Sequence, residues 1–490
     1  MKKLISLLLV AVMVLSFGLV NASAEEPVTI ICYTNDNANN APTDLKDDFV
    51  YQTILARTGV DFRVVYLDEY DTSLAARLMG GDDWHMFLCD ADQMRTYAAQ
   101  DMLLPLSSYT DMLNTIYGSY GEDTNISALY YDGEMYAIPA AKAISDYYLM
   151  LLVRNDWNEK YPDLKVPTTV DELYDYCHFL ANNDPDGNGI KDTIGFTGWG
   201  INGLSAITAP YDVVLGNYVI IRDGKVTNTL LQPGMVDGLK WCKKFVDDKL
   251  IDPDCVTTSG ADKFKAGTVG MLSSAWTGIW KAYGQEQIHN VNPNAVTNFF
   301  TTLKSEVGAP DAMFTDDLNT TNTVYGISAD ISDEKLNAMF KLIDYLVSDD
   351  GSKLVFYGLK DVHWKYDDNG NIVMTDRAKE ANYISTYQLF SRKEAEYLNV
   401  KFPEAKEVFD ATMSANRIQV YNSLVREPEE MFLSDMESYA KQELLNFIYG
   451  DRELTQEEYD KFIQELRDLY DFDAYMEAAT EQLTAYGLVK

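Results

Sequence analysis

Short apolar runs alternate with stretches of helical periodicity through the first part of the chain. Val28 to Tyr33 is short and apolar, the pattern of a buried strand. Asp48 to Thr58 reads as a helix with Phe49, Ile54 and Leu55 on one face. Asp61 to Leu67 alternates and is β-branched, which predicts a second strand. Tyr70 to Met79 is helical again, and Met86 to Cys89 is a third short apolar run. Strand, helix, strand, helix, strand implies an α/β fold, with a parallel or mixed sheet and helical crossovers.

Further along, Tyr147 to Val153 is a longer apolar strand preceded by Ser145 and Asp146. Thr169 to Ala181 reads as a helix: Thr169 and Glu172 form a capping box, and Leu173, Tyr176, Cys177 and Leu180 make its stripe. Asp237 to Asp248 is helical, with Trp241 on its apolar side, and Trp157 also falls on a core stripe. The clearest helix is Ser332 to Val347, capped by Ser332, with Asp333 and Glu334 at its positive end. From about Asn382 onward the pattern is almost wholly helical.

The first residues differ in kind. Met1, Lys2 and Lys3 precede an apolar run from Leu4 to Val20, and Ala22-Ser23-Ala24 supplies the small-x-small pattern of a signal-peptidase site. A cleaved signal over 1–24 is expected. A membrane anchor is the rival reading, but the run is short and its far flank, Glu25-Glu26, is acidic. No cysteine stands at the cleavage point. No later segment approaches about 18 uninterrupted apolar residues.

Composition narrows the partners. The chain carries 76 acidic and 40 basic residues, a net charge of −36 that becomes −38 once Lys2 and Lys3 leave with the signal. Nucleic acid is excluded as an expected partner, because phosphate binding needs a basic surface. A neutral ligand is the default. The five cysteines, at 32, 89, 177, 242 and 255, form no CxxC and read as buried thiols, with a Cys242–Cys255 bridge left open. Four histidines in no ligand spacing, and the lack of G-x-S-x-G and P-loop motifs, leave no catalytic constellation.

Several segments, in order, resemble the extracellular solute-binding proteins of family 1. Asp132-Gly133-Glu134-Met135-Tyr136-Ala137-Ile138-Pro139 is similar to a "DGK-Y-IP" segment, and Val153-Arg154-Asn155-Asp156-Trp157 to "IRKDW". Val166 to Leu173 is similar to "VPTTLDEL", and Phe264 to Met271 to "F-GKVGM". Asp367-Asp368-Asn369-Gly370-Asn371 and the helical tail fit the long, Gram-positive-type branch. The resemblance implies a two-lobed, type II-like periplasmic-binding-protein fold, hinge-linked, with ligand in the cleft between the lobes. The first lobe is expected over 25–143 plus 327–360 and the second over 147–322 plus 363–490. The crossings fall near 143–147, 319–326 and 358–363. The implied function is non-enzymatic: an extracytoplasmic protein, expected as a monomer, hands an oligosaccharide to the permease subunits of an ABC importer. One departure is that Ala24-Glu25 stands where Gram-positive members usually carry a lipidated cysteine.

Asp184-Pro185-Asp186-Gly187-Asn188-Gly189-Ile190-Lys191-Asp192 places oxygen side chains at positions 1, 3, 5 and 9 and a glycine at position 6, as in an EF-hand loop. Asp184, Asp186, Asn188, the Ile190 carbonyl and Asp192 are the expected ligands of a structural calcium ion. Gly195 stands at position 12, where an EF-hand has its bidentate glutamate, and Thr193 stands where relatives add an acid. The rival reading is an Asp/Asn/Gly turn.

Sugar rings are held by aromatic faces and convergent polar groups, so tryptophans are the first candidates for contact. Gly198-Trp199-Gly200-Ile201-Asn202-Gly203 spells GxGxxG, but it does not follow the first strand of a βαβ unit, as a nucleotide site requires. Trp199 is expected as a ligand platform instead. Trp276 and Trp280 follow the VGM strand at i, i+4 spacing. In maltodextrin-binding relatives an aromatic at the place of Trp276 stacks on sugar. Asp90, Asp92 and Gln93 follow the third strand at its carboxyl end, where open α/β sheets bind ligands. Trp84 and Trp364 complete the candidates. Arg154 and Asp156 read as a structural ion pair. The competing functions are a secreted glycoside hydrolase, for which acids are plentiful but no pair stands out, and a binder of peptides or cationic ligands.

Overall fold

The computed structural model describes residues 26–35, 41–119, 129–140, 148–317, 323–390, 392, 394–428 and 431–489. The expected signal, the crossing at 143–147 and the first half of the crossing at 319–326 lie outside these residues.

The first sheet has five strands in the order Val60–Tyr66, Val28–Thr34, Met86–Asp90, Thr323–Ile327, Ala137–Pro139. The first three run parallel, with Val28 opposite Val60 and Thr34 opposite Tyr66. Thr323–Ile327 returns antiparallel, placing Thr323 opposite Asp90. The helices between the parallel strands are Phe49–Thr58 and Tyr70–Met79, as the periodicity predicts. The buried face of Phe49–Thr58 differs from the expectation. It is made by Val50, Tyr51, Ile54 and Thr58, while Phe49 and Leu55 sit at its margin.

The second sheet has the order Thr297–Phe300, Leu149–Arg154, Val269–Ala275, Ile194–Thr197. Leu149–Arg154 is buried along nearly its whole length, which is why it reads as an unbroken apolar run. The helix Val170–Asn182 packs on Ile194–Thr197. Thr169 caps it by accepting from the Glu172 N–H at 3.2 Å, and the Glu172 carboxylate reaches back to the Thr168 N–H at 2.8 Å. Ser332 caps Asp333–Val347 through the Lys335 N–H, as expected. Trp157 is core, and Arg154 and Asp156 form a two-bond pair at 2.9 and 2.7 Å.

The lobe boundaries shift in two places. Residues 323–326, expected in a crossing, are a central strand of the first sheet. The chain also stays on the first lobe well past 363. Trp364, Tyr383, Ile384, Tyr387 and Phe390 belong to the first lobe's core. The anchor is Asp48, the buried cap of Phe49–Thr58: it accepts from the Val50 and Tyr51 N–H groups and from the Tyr383 and Tyr387 hydroxyls, at 3.0 and 2.7 Å. A buried carboxylate needs several donors, and two tyrosines 335 or more residues away supply them. The third crossing therefore lies after Phe390, where Glu394–Lys401 packs against both lobes through Tyr397. The tail then forms three long helices, Leu433–Tyr449, Gln456–Tyr470 and Phe472–Ala485, that complete the second lobe's core.

Candidate functional site

The topology marks one end of each sheet, the end from which the chain passes between the lobes. Ala137–Pro139 and Thr323–Ile327 meet the crossings at the edge where Asp90 lies, with the Ala140 N–H on the Thr323 carbonyl at 3.0 Å. In the second lobe, Leu149 pairs with Ala275, so that chain enters at the edge where Val269–Ala275 and Ile194–Thr197 end. The strand ends next to the crossings therefore carry Asp90 in the first lobe and the Trp199 and Trp276 segments in the second. A hollow of about 480 Å³ lined by Thr168, Lys304, Ser305 and Asp311 lies wholly on the second lobe and includes none of these residues.

Trp199 is 70% exposed. Its loop is rigid for reasons visible in its glycines. A Cβ on Gly198 would lie 2.9 Å from the Gly203 Cα, and Gly200 sits at φ +67°, so the GxGxxG spacing reflects a folded-back turn. The Gly200 N–H donates to the Cys255 carbonyl at 2.7 Å, and the Gly260 N–H donates to the Gly198 carbonyl at 3.2 Å. Beneath the loop, buried Asp252 accepts from Thr197 Oγ1 at 2.9 Å and from Lys263 Nζ at 2.6 Å. The Asp252 and Asp254 carboxylates hold the Lys263 ammonium above its usual pKa range.

The other tryptophans expected to contact ligand, Trp276, Trp280, Trp364 and Trp84, are placed differently from the expectation. Trp276 has no exposed surface. It packs edge-on against Tyr148, in a cluster that includes Leu398, Val408 and Phe409, and so offers no face to a sugar ring. Trp280 keeps the helical spacing but is half-buried, edge-on to Phe299 at 5.3 Å. Trp364 is core: its Nε1 donates to the Gly358 carbonyl at 2.8 Å and its ring meets Tyr357 and Tyr366. Trp84 packs edge-on to Phe87 at the amino end of Met86–Asp90, the end of the strand remote from Asp90. Trp241 is held by a 2.7 Å bond from its Nε1 to the Tyr211 hydroxyl, in keeping with its place on a core stripe.

Asp90 and Gln93 lie at the expected edge and cap the helix Ala91–Ala99 reciprocally. The Gln93 N–H donates to Asp90 at 2.7 Å and the Asp90 N–H donates to Gln93 Oε1 at 3.1 Å. Gln93 Nε2 also donates to Asp71 at 2.9 Å. Asp90 keeps an exposed carboxylate at the edge. Asp92 is exposed and pairs with Arg95.

In the 184–192 loop, Asp184 accepts from the Gly187 and Gly189 N–H groups, both at 2.9 Å. Burial pushes its pKa up, but the bonds from Asp186 and these amides outweigh it and bring the carboxyl below its usual range. Asp186 moves the other way: burial first, then the hydrogen bond and charge of Asp184 and the charge of Asp192, raise it. Asn188 Nδ2 donates to Asp186 at 2.9 Å and to Asp192 at 3.1 Å. Among the described residues no set of three or more His, Cys, Asp and Glu side chains stands ready to hold a metal ion. Here the Asn188 amide nitrogen bridges the carboxylates as a neutral substitute for a cation. Turning that amide would present its oxygen alongside Asp184, Asp186 and Asp192, so the donor set fits a hard cation.

One interlobe contact was not legible in the sequence. Arg426 Nη2 of the second lobe donates to the Tyr130 carbonyl of the first at 3.2 Å. No motif marks either residue; only the Tyr130-Tyr131 pair ahead of the Asp132-Gly133 turn hinted at an aromatic surface.

Compared with known proteins, residues 50–357 match the family profile described as "Bacterial extracellular solute-binding protein". The chain is 28% identical over 149 residues to the Lipoprotein LipO of Bacillus subtilis (strain 168), a stretch that is 29% of each chain. It thus spans under a third of the length of the curated relatives it matches. Among solved structures it resembles an "HMO binding ABC-transporter associated Solute Binding Protein" from Bifidobacterium longum infantis ATCC 15697, at TM-score 0.71 and 17% identity over 94% of this chain and 99% of that one. It also resembles an EF-hand mutant of the S. pneumoniae substrate-binding protein FusA in complex with fructo-nystose, at TM-score 0.69 and 16% identity over 94% and 99%. At these identities the likeness shows the two-lobed fold. Among the described residues no helix is long and apolar enough to cross a membrane.

Proposed function

Since the chain belongs to the bacterial extracellular solute-binding protein family, we propose that it is the extracytoplasmic substrate-binding component of an ABC importer and takes an oligosaccharide between its lobes. The observation that carries this reading is Trp199, an exposed indole on a braced glycine loop at the strand end where the chain enters the second lobe. An aromatic face fixed in this way stacks on the apolar side of a sugar ring with little loss of side-chain freedom. Asp90 offers an exposed carboxylate from the first lobe for sugar hydroxyls, and Asp92 and Gln93 stand beside it. Trp280, half-buried, is the remaining aromatic candidate.

The mechanism is conformational. A ligand touching both edges favours the closed arrangement by its differential affinity, and the closed shape is what permease subunits recognise. No bond of the ligand is made or broken, and the protein acts outside the cytoplasm as a monomer whose signal is cleaved after Ala24. Calcium is the proposed structural ion of the 184–192 loop, held by Asp184, Asp186, Asn188, the Ile190 carbonyl and Asp192. It replaces carboxylate repulsion with attraction and stiffens the turn that leads into Ile194–Thr197 and the Trp199 loop.

The test is calorimetric titration of the mature protein with a panel of oligosaccharides, alongside Trp199→Ala. Binding of a glycan that weakens about tenfold in the variant supports the reading. Binding of peptides or polyamines alone overturns the sugar assignment. Release of reducing ends from a bound glycan overturns the non-enzymatic one.

A further inference from the structure

The contact between Arg426 and Tyr130 is part of a larger arrangement. Arg95 lies on the inward face of Ala91–Ala99 and is 8% exposed. Its Nη1 pairs with Asp92, while its Nε is buried and meets no acceptor among the described residues. Arg426 comes from the other lobe, and its backbone is clamped by one side chain of the last helix. The Arg426 N–H donates to Gln482 Oε1 at 3.0 Å, and Gln482 Nε2 donates to the Arg426 carbonyl at 3.0 Å. The guanidinium is thereby aimed at the first lobe, where it meets the Tyr130 carbonyl. The strand Tyr130–Tyr131 packs on the helix that carries Arg95. The two guanidiniums thus approach from opposite lobes, with Asp92, Tyr131 and Tyr486 around them. Burial first, and then the charge of Arg95, pull Arg426 below the usual arginine range.

Among the described residues, Asp92 is the one carboxylate set against these two cations, in a chain where acids outnumber bases by 76 to 40. Like charges held together at partly buried positions repel unless a counter-charge joins them. The planar fork of a guanidinium matches a carboxylate in geometry as well as in sign. Tyr131 and Tyr486 bring phenolic groups able to hydrogen-bond neighbouring sugar hydroxyls.

We propose that Arg95 and Arg426 form a carboxylate subsite between the lobes, so that the oligosaccharide bound here contains an acidic sugar. This rests on the oligosaccharide reading above and replaces the neutral ligand expected from overall charge. The two considerations act at different ranges. The net charge repels an anion at a distance and is screened beyond about 8 Å at physiological salt, whereas a guanidinium pair acts at contact. A carboxylate bound to both arginines also ties the lobes together and so favours closure.

The experiment uses the full mature protein and matched probes: oligogalacturonides and oligomannuronates, each with its carboxyl-reduced neutral form. Calorimetry is expected to show an acidic probe binding more tightly than its reduced form. Arg426→Ala should remove about 10- to 100-fold of that preference while leaving the reduced form's affinity unchanged. Arg426→Lys, which keeps the charge but loses the fork, should recover only part of it, and Tyr486→Phe provides a milder variant of the same site. Equal binding of acidic and reduced probes, or an equal loss for both in the variants, overturns the carboxylate subsite and leaves the oligosaccharide reading standing. Failure of every glycan, acidic and neutral, to bind the folded protein overturns both.

Discussion

Asp252 and Thr197 are hydrogen-bonded at 2.9 Å, with neither side chain exposed, one residue before the glycine loop that carries Trp199. The carboxylate also holds Lys263 at 2.6 Å, so a single buried acid braces the loop from below. Asp252→Ala should lower stability by about 2 kcal/mol; this is below the value for a fully buried pair because Lys263 is about a third exposed. It should also loosen the Trp199 platform. Thermal melts read the first effect and Trp199 fluorescence anisotropy the second. An unchanged melt with unchanged anisotropy would remove Asp252 from this role.

Calcium should raise the melting temperature of chelator-treated protein, and Asp184→Ala should abolish the rise. Because Asp186 sits above its usual carboxyl range, protons compete for this site at higher pH than for an ordinary carboxylate. Calcium affinity should therefore fall as pH drops, starting above the usual aspartate range. Titrations across that pH range measure this, and a pH-independent affinity would contradict the assigned ligands.

His363 is 3% exposed, and its Nδ1 accepts from the Leu359 N–H at 3.0 Å. Burial drives its pKa down to about 4, partly countered by Glu380. The unfolded chain takes up this proton near pH 6.5, the folded one only near 4. Stability is thus complete above about pH 6.5 and falls as pH drops through this window, by up to about 3 kcal/mol from this group. Urea unfolding at pH 7 and pH 4 should show the loss, and His363→Asn should flatten it. An equal loss in the variant would assign the acid sensitivity elsewhere.

All five thiols are free and buried. Burial raises each above its usual range, with Cys255 the least shifted, at about 11. The Cys242–Cys255 bridge left open by the sequence is not formed here. The native protein should resist a thiol reagent over minutes, release five thiols in denaturant, and melt at the same temperature with or without reductant. A mass two hydrogens below that of the fully reduced chain would show a disulfide instead.

The local elements were legible because their signals are local. The caps at Thr169 and Ser332, the apolar runs at Val28 to Tyr33 and Met86 to Cys89, and the helix Tyr70–Met79 each depend on residues a few positions apart. The motif at 184–192 and the ordered family segments added the fold class and the candidate calcium loop for the same reason.

The lobe boundary after Phe390 and the roles of the tryptophans were decided only by tertiary structure. Trp276, Trp364 and Trp199 are alike in type, and each sits near glycine or a strand end. Trp276 is sealed over by residues from 398 to 409, Trp364 by the first lobe's core, and Trp199 by nothing. Likewise Asp48 draws Tyr383 and Tyr387 across more than 330 residues and keeps the chain on the first lobe. Arg426 is aimed at the Tyr130 carbonyl of the first lobe only because Gln482 clamps its backbone from 56 residues away. Pattern and propensity report what a segment prefers among its neighbours. Burial, pairing and charge balance depend on which distant segment arrives, and that is determined only when the whole chain packs.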